Sequence, residues 1–293
     1  IGRGYINQIK LSPDSETMMV IADTGLFFYD YQTFGLINYL PGYFNMADFS
    51  ADGTRVLCGS TTDQKFYVKT IETGETVFSF SAGTIRAYDI DWSPDGDLIL
   101  SGSCDATLLM WNATDGSILS RYQGIGWILN AEWSPDRKRI ALLNKDLPIQ
   151  VLYSENGEPL LTMSDVGFLK NIDWSPDGTR LAAGGEDALV YIFDAGTGEL
   201  HTTLDDWVIS GFPEELRNPH DRAMVAWSPD GTLIAEWGNR NGNIQIWDVE
   251  SGERLNRLSI TDNFPFVIEW SPDSDFIAAG CREGEIIVFD ILS

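Results

Sequence analysis

The sequence predicts an all-β chain closed into a seven-bladed β-propeller of four-stranded antiparallel blades. Three observations carry this expectation. A Ser-Pro-Asp-Gly-like motif recurs with its serine at positions 12, 50, 93, 134, 175, 228 and 271. Short apolar runs flank every copy, as in Asp89-Ile-Asp-Trp92 before one motif and Leu181-Ala-Ala183 after another. No helical periodicity competes with the strand pattern. Seven units of roughly 42 residues, each with four short strands, match the arithmetic of a propeller blade.

Each element of a unit has a local cause. Five motifs read Trp-Ser-Pro-Asp, at Trp92, Trp133, Trp174, Trp227 and Trp270; the other two are Leu11-Ser-Pro-Asp and Phe49-Ser-Ala-Asp. Serine bonds the turn backbone, proline presets φ, aspartate suits the next corner and glycine the exit. The motif therefore joins the first two strands of a unit by a tight turn. A third strand follows, for example Thr107-Leu-Leu-Met-Trp111, Leu189-Val-Tyr-Ile-Phe193 and Ile286-Ile-Val-Phe289. A Thr-Gly-Glu or Ser-Gly-Glu turn leads to a fourth, such as Glu199-Leu-His-Thr-Thr-Leu204. Blades begin near residues 5, 43, 86, 127, 168, 221 and 264, and residues 1–293 read as one domain.

The third strands end in a way that resembles the WD-repeat β-propeller family. The family's Trp-Asp ending stands here as Trp247-Asp248, with looser forms Tyr29-Asp30, Trp111-Asn112, Phe193-Asp194 and Phe289-Asp290. Blades two and four depart, with Lys69-Thr70 and Leu152-Tyr153. The turn aspartate that the family places upstream corresponds to Asp23, Asp63, Asp105, Asp146, Asp187, Asn241 and Glu283. The histidine that normally partners it is missing from every blade, so its hydrogen bonds must be reduced or satisfied differently. The Trp-Ser-Pro-Asp-Gly style looks like bacterial WD repeats. The resemblance implies a protein-interaction scaffold and leaves function to be argued from sites.

Composition narrows the partners. The chain has 44 acidic and 19 basic residues, a net charge of −25. Such a surface repels phosphate backbones and anionic membranes, so neither nucleic acid nor a membrane is the expected partner. The longest uncharged run, Tyr31 to Ala47, contains Gln32, Asn38, Pro41 and Asn45 and cannot span a bilayer as an apolar helix. Cys58, Cys104 and Cys281 form neither a disulfide framework nor a metal motif. The acidic composition leans toward an exported or cell-surface protein, and the unpaired cysteines lean the other way.

The expected ends of the ring differ. The chain opens Ile-Gly-Arg-Gly, then enters an innermost strand at Tyr5; it stops at Ser293, just after the third strand of blade seven. This suggests a processed product or a piece of something longer. The outer strand of blade seven is expected from an upstream segment or from a neighbouring chain by β-augmentation.

Catalytic motifs are not found. Only His201 and His220 are histidines, and no nucleophile elbow, phosphate loop or zinc spacing occurs. A carboxylate glycosidase is the remaining enzymatic reading. Three constellations stand out instead.

Six residues before each motif tryptophan, or its equivalent, the chain reads Tyr5, Tyr43, Arg86, Trp127, Phe168, Asp221 and Phe264. Aromatics and arginine are hot-spot residues, so these rings read either as a binding surface or as a plug of the channel. One residue before the tryptophans stand Lys10, Asp48, Asp91, Glu132, Asp173, Ala226 and Glu269. Their carboxylates read as water-filled channel lining or, with Asp89, Asn130 and Asn171 as further oxygen ligands, as a Ca²⁺ site. The third is the 53-residue step between motifs five and six, whose segment from Asp205 to Asp221 carries Trp207, Phe212 and Leu216. It reads as a recognition loop or as a self-packed loop. The expected function is a non-catalytic scaffold or sensor that binds protein or peptide on the loop-rich face. A structural subunit of a repeated surface assembly is the alternative.

Overall fold

The computed structural model describes residues 5–60, 65–81, 87–205, 223–238, 242–260, 265–281 and 284–291. Blade one is β1 (Ile6–Leu11), β2 (Thr17–Ala22), β3 (Gly25–Asp30) and β4 (Leu36–Pro41). Blade two is β5 (Phe44–Phe49), β6 (Arg55–Ser60), β7 (Phe66–Thr70) and β8 (Thr76–Phe80). Blade three is β9 (Ala87–Trp92), β10 (Leu98–Ser103), β11 (Thr107–Asn112) and β12 (Ile118–Gln123). Blade four is β13 (Ile128–Trp133), β14 (Arg139–Asn144), β15 (Gln150–Tyr153) and β16 (Pro159–Thr162). Blade five is β17 (Leu169–Trp174), β18 (Arg180–Gly185), β19 (Val190–Asp194) and β20 (Leu200–Leu204). Blade six is β21 (Met224–Trp227), β22 (Leu233–Trp237), β23 (Asn243–Asp248) and β24 (Arg254–Ser259). Blade seven is β25 (Pro265–Trp270), β26 (Phe276–Cys281) and β27 (Ile286–Asp290). All strand pairs are antiparallel neighbours in sequence, and among the described residues blade seven has three strands, as the sequence predicts.

The repeated turn does the work expected of it. In every blade the serine hydroxyl accepts the N–H five residues on, as Leu98 N to Ser93 Oγ at 2.9 Å. The same hydroxyl donates to the turn aspartate, as Ser93 to Asp95 Oδ1 at 2.7 Å. The fourth turn residue sits at positive φ in all seven copies, including the non-glycines Ser15 (66°), Arg137 (62°) and Ser274 (63°). Arg137 compensates with an ion pair to Asp95 of the preceding blade.

Cores lie between blades rather than within them. Trp174 packs with Ala141 and Leu143 of blade four and with Leu181, Ala183 and Phe193 of its own blade. One arginine lies against this tryptophan. The Arg139 guanidinium lies 4.8 Å from the Trp174 ring centroid and donates to Gly178 O (2.6 Å) and Ala195 O (3.0 Å). Small residues let sheets approach: a Cβ on Gly184 would meet Ala223 O at 2.2 Å. The ring closes where Ile6, Ile9 and Met18 of blade one pack with Ala278 and Val267 of blade seven.

Candidate functional site

The innermost strand of each blade is a sheet edge facing the channel, so its outward N–H groups need partners. The acidic positions supply them across blade boundaries. Asp48 Oδ2 accepts Trp92 N (2.8 Å), Asp91 Oδ2 accepts Trp133 N (2.9 Å) and Asp173 Oδ2 accepts Trp227 N (2.6 Å). Glu269 Oε1 accepts Leu11 N (3.1 Å), which carries the pattern across the closure from blade seven to blade one. A second tier repeats the device two residues earlier. Asp89 Oδ2 accepts Ala131 N and the Asn130 side-chain amide, Asn130 Oδ1 accepts Ile172 N, and Asn171 Oδ1 accepts Val225 N.

This changes the reading of the channel. Asp89 Oδ2, Asn130 Oδ1 and Asn171 Oδ1, the further oxygen ligands of the alternative Ca²⁺ reading, each accept a backbone N–H of the next blade. Among the described residues no group of three or more His, Cys, Asp or Glu is arranged as a metal site. The Lys10 ammonium meets Asp48 Oδ1 at 2.6 Å. Burial alone would lower the Lys10 pKa, but Asp48, Asp91 and Glu269 outweigh it and hold the ammonium well above its usual range. One lysine does not neutralise the set. Burial, then the charge of Asp48, pushes Asp91 up to about 8. Burial raises Asp173 to about 7, Glu269 to about 7 and Asp89 to about 6. Glu132 rises well above the ordinary range through burial and the charges of Asp173 and Asp91. Lys10, Asp89, Asp91, Glu132 and Asp173 line a polar cavity of about 430 Å³ with Trp92, Trp133 and Trp174.

At the other end of the inner strands lie the rings. Tyr5, Tyr43, Trp127 and Phe168 precede β1, β5, β13 and β17 by one residue. They are 52%, 68%, 45% and 57% exposed, so these four do not form a mutually packed plug. Two neighbours hold Trp127: the Tyr88 ring stacks at 5.9 Å and the Lys145 ammonium sits 4.7 Å from its centroid. Ile125 and Phe266, which the motif spacing does not single out, are also exposed, at 74% and 64%. Arg86, Trp207, Phe212, Asp221 and Phe264 lie outside the described residues, as does Leu216.

Among the described residues, the turn aspartates of blades one, three and five find different partners in place of the missing histidine. Asp23 accepts Tyr5 N and the Asn7 amide, Asp105 accepts Thr107 N and the Ser103 hydroxyl, and Asp187 accepts the Tyr191 hydroxyl at 2.5 Å. One buried carboxylate is new. Glu236 lies nine residues after Trp227, where blade three has Ser101 nine after Trp92. Ser101 accepts the Trp111 indole N–H at 2.9 Å, and Glu236 accepts that of Trp247 at 3.0 Å. Burial pushes Glu236 up to about 7.

With this geometry in place, known proteins give a family context. Residues 74–112 match the WD domain, G-beta repeat, family model, and residues 160–282 match that of the eukaryotic translation initiation factor eIF2A. The matches support a WD-repeat family. Among the relatives, WD repeat-containing protein VIP3 of Arabidopsis thaliana is 28% identical over 80 residues, 23% of this chain and 25% of that protein. WD repeat-containing protein 1 of Gallus gallus is 32% identical over 83 residues, 27% of this chain and 14% of that protein. Protein transport protein sec31 of Schizosaccharomyces pombe is 26% identical over 84 residues, 28% of this chain and 7% of that protein. The chain thus spans at most a quarter of the length of these curated relatives, all of them eukaryotic.

Proposed function

We propose that this WD-repeat propeller is a non-catalytic scaffold that takes a protein or peptide on the face bearing Tyr5, Tyr43, Trp127 and Phe168. The observation that carries this reading is the exposure of four aromatic rings at equivalent positions on one face. Large rings left in water at repeated positions gain free energy when a partner covers them, and aromatics dominate interface energetics. The Lys145 ammonium on Trp127 indicates that the patch tolerates a cation beside its rings. The WD-repeat relatives support an interaction role in general. The bacterial character of the repeats rests on the style of the turns.

The test is the double variant Trp127→Ala/Phe168→Ala. Photo-cross-linking from position 43 in native extract, read by mass spectrometry, is expected to give discrete adducts with the wild type and to lose them in the variant. The melting temperature should move little, because both side chains are exposed. An unfolded variant would mean that the rings are core. Unchanged adducts would remove the basis for binding on this face.

A further inference from the structure

The Ser-Pro-Asp turns form the underside of the ring, at the opposite end of the inner strands from the exposed aromatics. There an arginine of one blade can reach the motif tryptophan of the next. The residue five after the motif serine is Arg55, Arg139 and Arg180 in blades two, four and five. The Arg55 guanidinium lies 5.5 Å from the Trp92 centroid, and that of Arg139 lies 4.8 Å from the Trp174 centroid. Arg139 fills its seat. It donates to Gly178 O and Ala195 O, and a Cβ built on Gly178 would meet its Nη2 at 3.2 Å.

Between blades five and six the equivalent seat is made by Trp227, Gly231 and Val249, and it is an open cleft of about 640 Å³. Arg180 lines the cleft without entering the seat. A Cβ on Gly231 would meet only Pro176, at 3.6 Å. Among the described residues Arg180 forms no salt bridge and lies over no ring, and neither Gly231 O nor Val249 O accepts a hydrogen bond. The tryptophan is also seated differently. Trp174 and Trp270 donate their indole N–H groups to Glu132 O (3.4 Å) and Ala226 O (3.1 Å). The Trp227 side chain is 6% exposed, and its buried indole N–H has no acceptor. Asp177, Asp230, Asp248 and Glu250 line the same cleft, and none of them is in a salt bridge among the described residues.

We propose that this cleft binds an arginine side chain of a partner protein, with the guanidinium over Trp227 and between Gly231 O and Val249 O, as Arg139 lies over Trp174. A planar cation stacks on an aromatic face, and its fork serves two carbonyl oxygens at once. A rim with four carboxylates and one cation attracts a second cation. Lysine matches the charge but not the fork, so the site selects arginine.

The test labels the full chain with 5-fluorotryptophan and follows fluorine NMR, with the Trp227 and Trp174 resonances assigned from Trp227→Phe and Trp174→Phe. The probe is the capped tripeptide acetyl-Gly-Arg-Gly-amide. The Trp227 resonance should shift saturably, while Trp174, already covered by Arg139, should not move. Arg139→Ala should make Trp174 respond as well. The lysine and citrulline counterparts of the probe should each bind about tenfold more weakly, the cost of losing one charge-assisted hydrogen bond. Trp127→Ala/Phe168→Ala should leave the titration unchanged, which separates this site from the aromatic face. Arg180→Ala should retain binding and barely move the urea midpoint. A Trp227 resonance that does not shift saturably overturns the proposal, as does a lysine probe that binds equally well. A fall in the Arg180→Ala midpoint as large as that of Arg139→Ala would mean that Arg180 takes the seat itself, and it too overturns a partner's arginine.

Discussion

Replacing Asp91 separates two roles of one carboxyl group, because it carries a shared charge and also accepts the Trp133 N–H at 2.9 Å. In the folded protein its pKa is about 8, through burial and the neighbouring Asp48. In the unfolded chain it returns to about 4. Between pH 6 and pH 8 the folded state therefore holds about one proton more than the unfolded state. Stability falls as pH rises, by about 1.4 kcal/mol per pH unit. Over that window the loss is about 2 to 3 kcal/mol. Asp91→Asn keeps an acceptor for Trp133 and does not titrate. Its stability relative to wild type should rise by that amount from pH 6 to pH 8. Asp91→Ala also loses the titration but leaves the Trp133 N–H orphaned, at a cost of about 1–3 kcal/mol against Asn at both pH values. Urea unfolding followed by tryptophan fluorescence, with unchanged m-values, measures all three proteins. Parallel wild-type and Asn stabilities across the window would refute the raised pKa. Equal stabilities of Ala and Asn would refute the clasp.

Other consequences follow from the same packing. Arg139→Ala removes two charge-assisted hydrogen bonds and a cation–π contact and should cost about 2–4 kcal/mol in urea unfolding, with Arg139→Lys intermediate because it lacks the fork. Gly184→Ala forces a methyl against Ala223 O and should destabilise by about 1–3 kcal/mol, seen as a lowered midpoint at constant m. Glu236 holds its proton up to about 7 when folded, so its contribution to stability is lost as pH rises from the ordinary carboxylate range through 7. Glu236→Gln keeps an acceptor for the Trp247 indole and should flatten the stability profile in that window, as thermal melts at pH 5 and pH 7 would show.

The blade count, the turns and the three-stranded seventh blade were legible in the sequence because each depends on contacts a few residues apart. Serine 93 reaches Asp95 and Leu98 within one turn, so the motif carries its own mechanism. The positions of the inner-strand acids were legible for the same reason, since a strict repeat fixes which face each residue takes. Their task was not. Asp48 and Trp92 are far apart in the chain, and the sequence does not state which backbone donor lies opposite a side chain across a blade boundary. Glu236 and Phe34 were hidden differently: Glu236 stands at a repeat position that is uncharged in the other blades and Phe34 at one that is glycine in blades two to six, a signal visible only when the blades are superposed.

What the sequence determined by itself is the architecture, because alternating apolar residues and tight turns leave one way to bury seven small sheets. Tertiary structure decided the rest. It set the exposure of Tyr5, Tyr43, Trp127 and Phe168, the backbone donors that occupy the channel oxygens, and the cleft between Arg180, Trp227 and Gly231. Each is a property of two blades meeting. Solvent access, desolvation and unfilled volume depend on what lies across that boundary, and a local pattern of residues does not contain it.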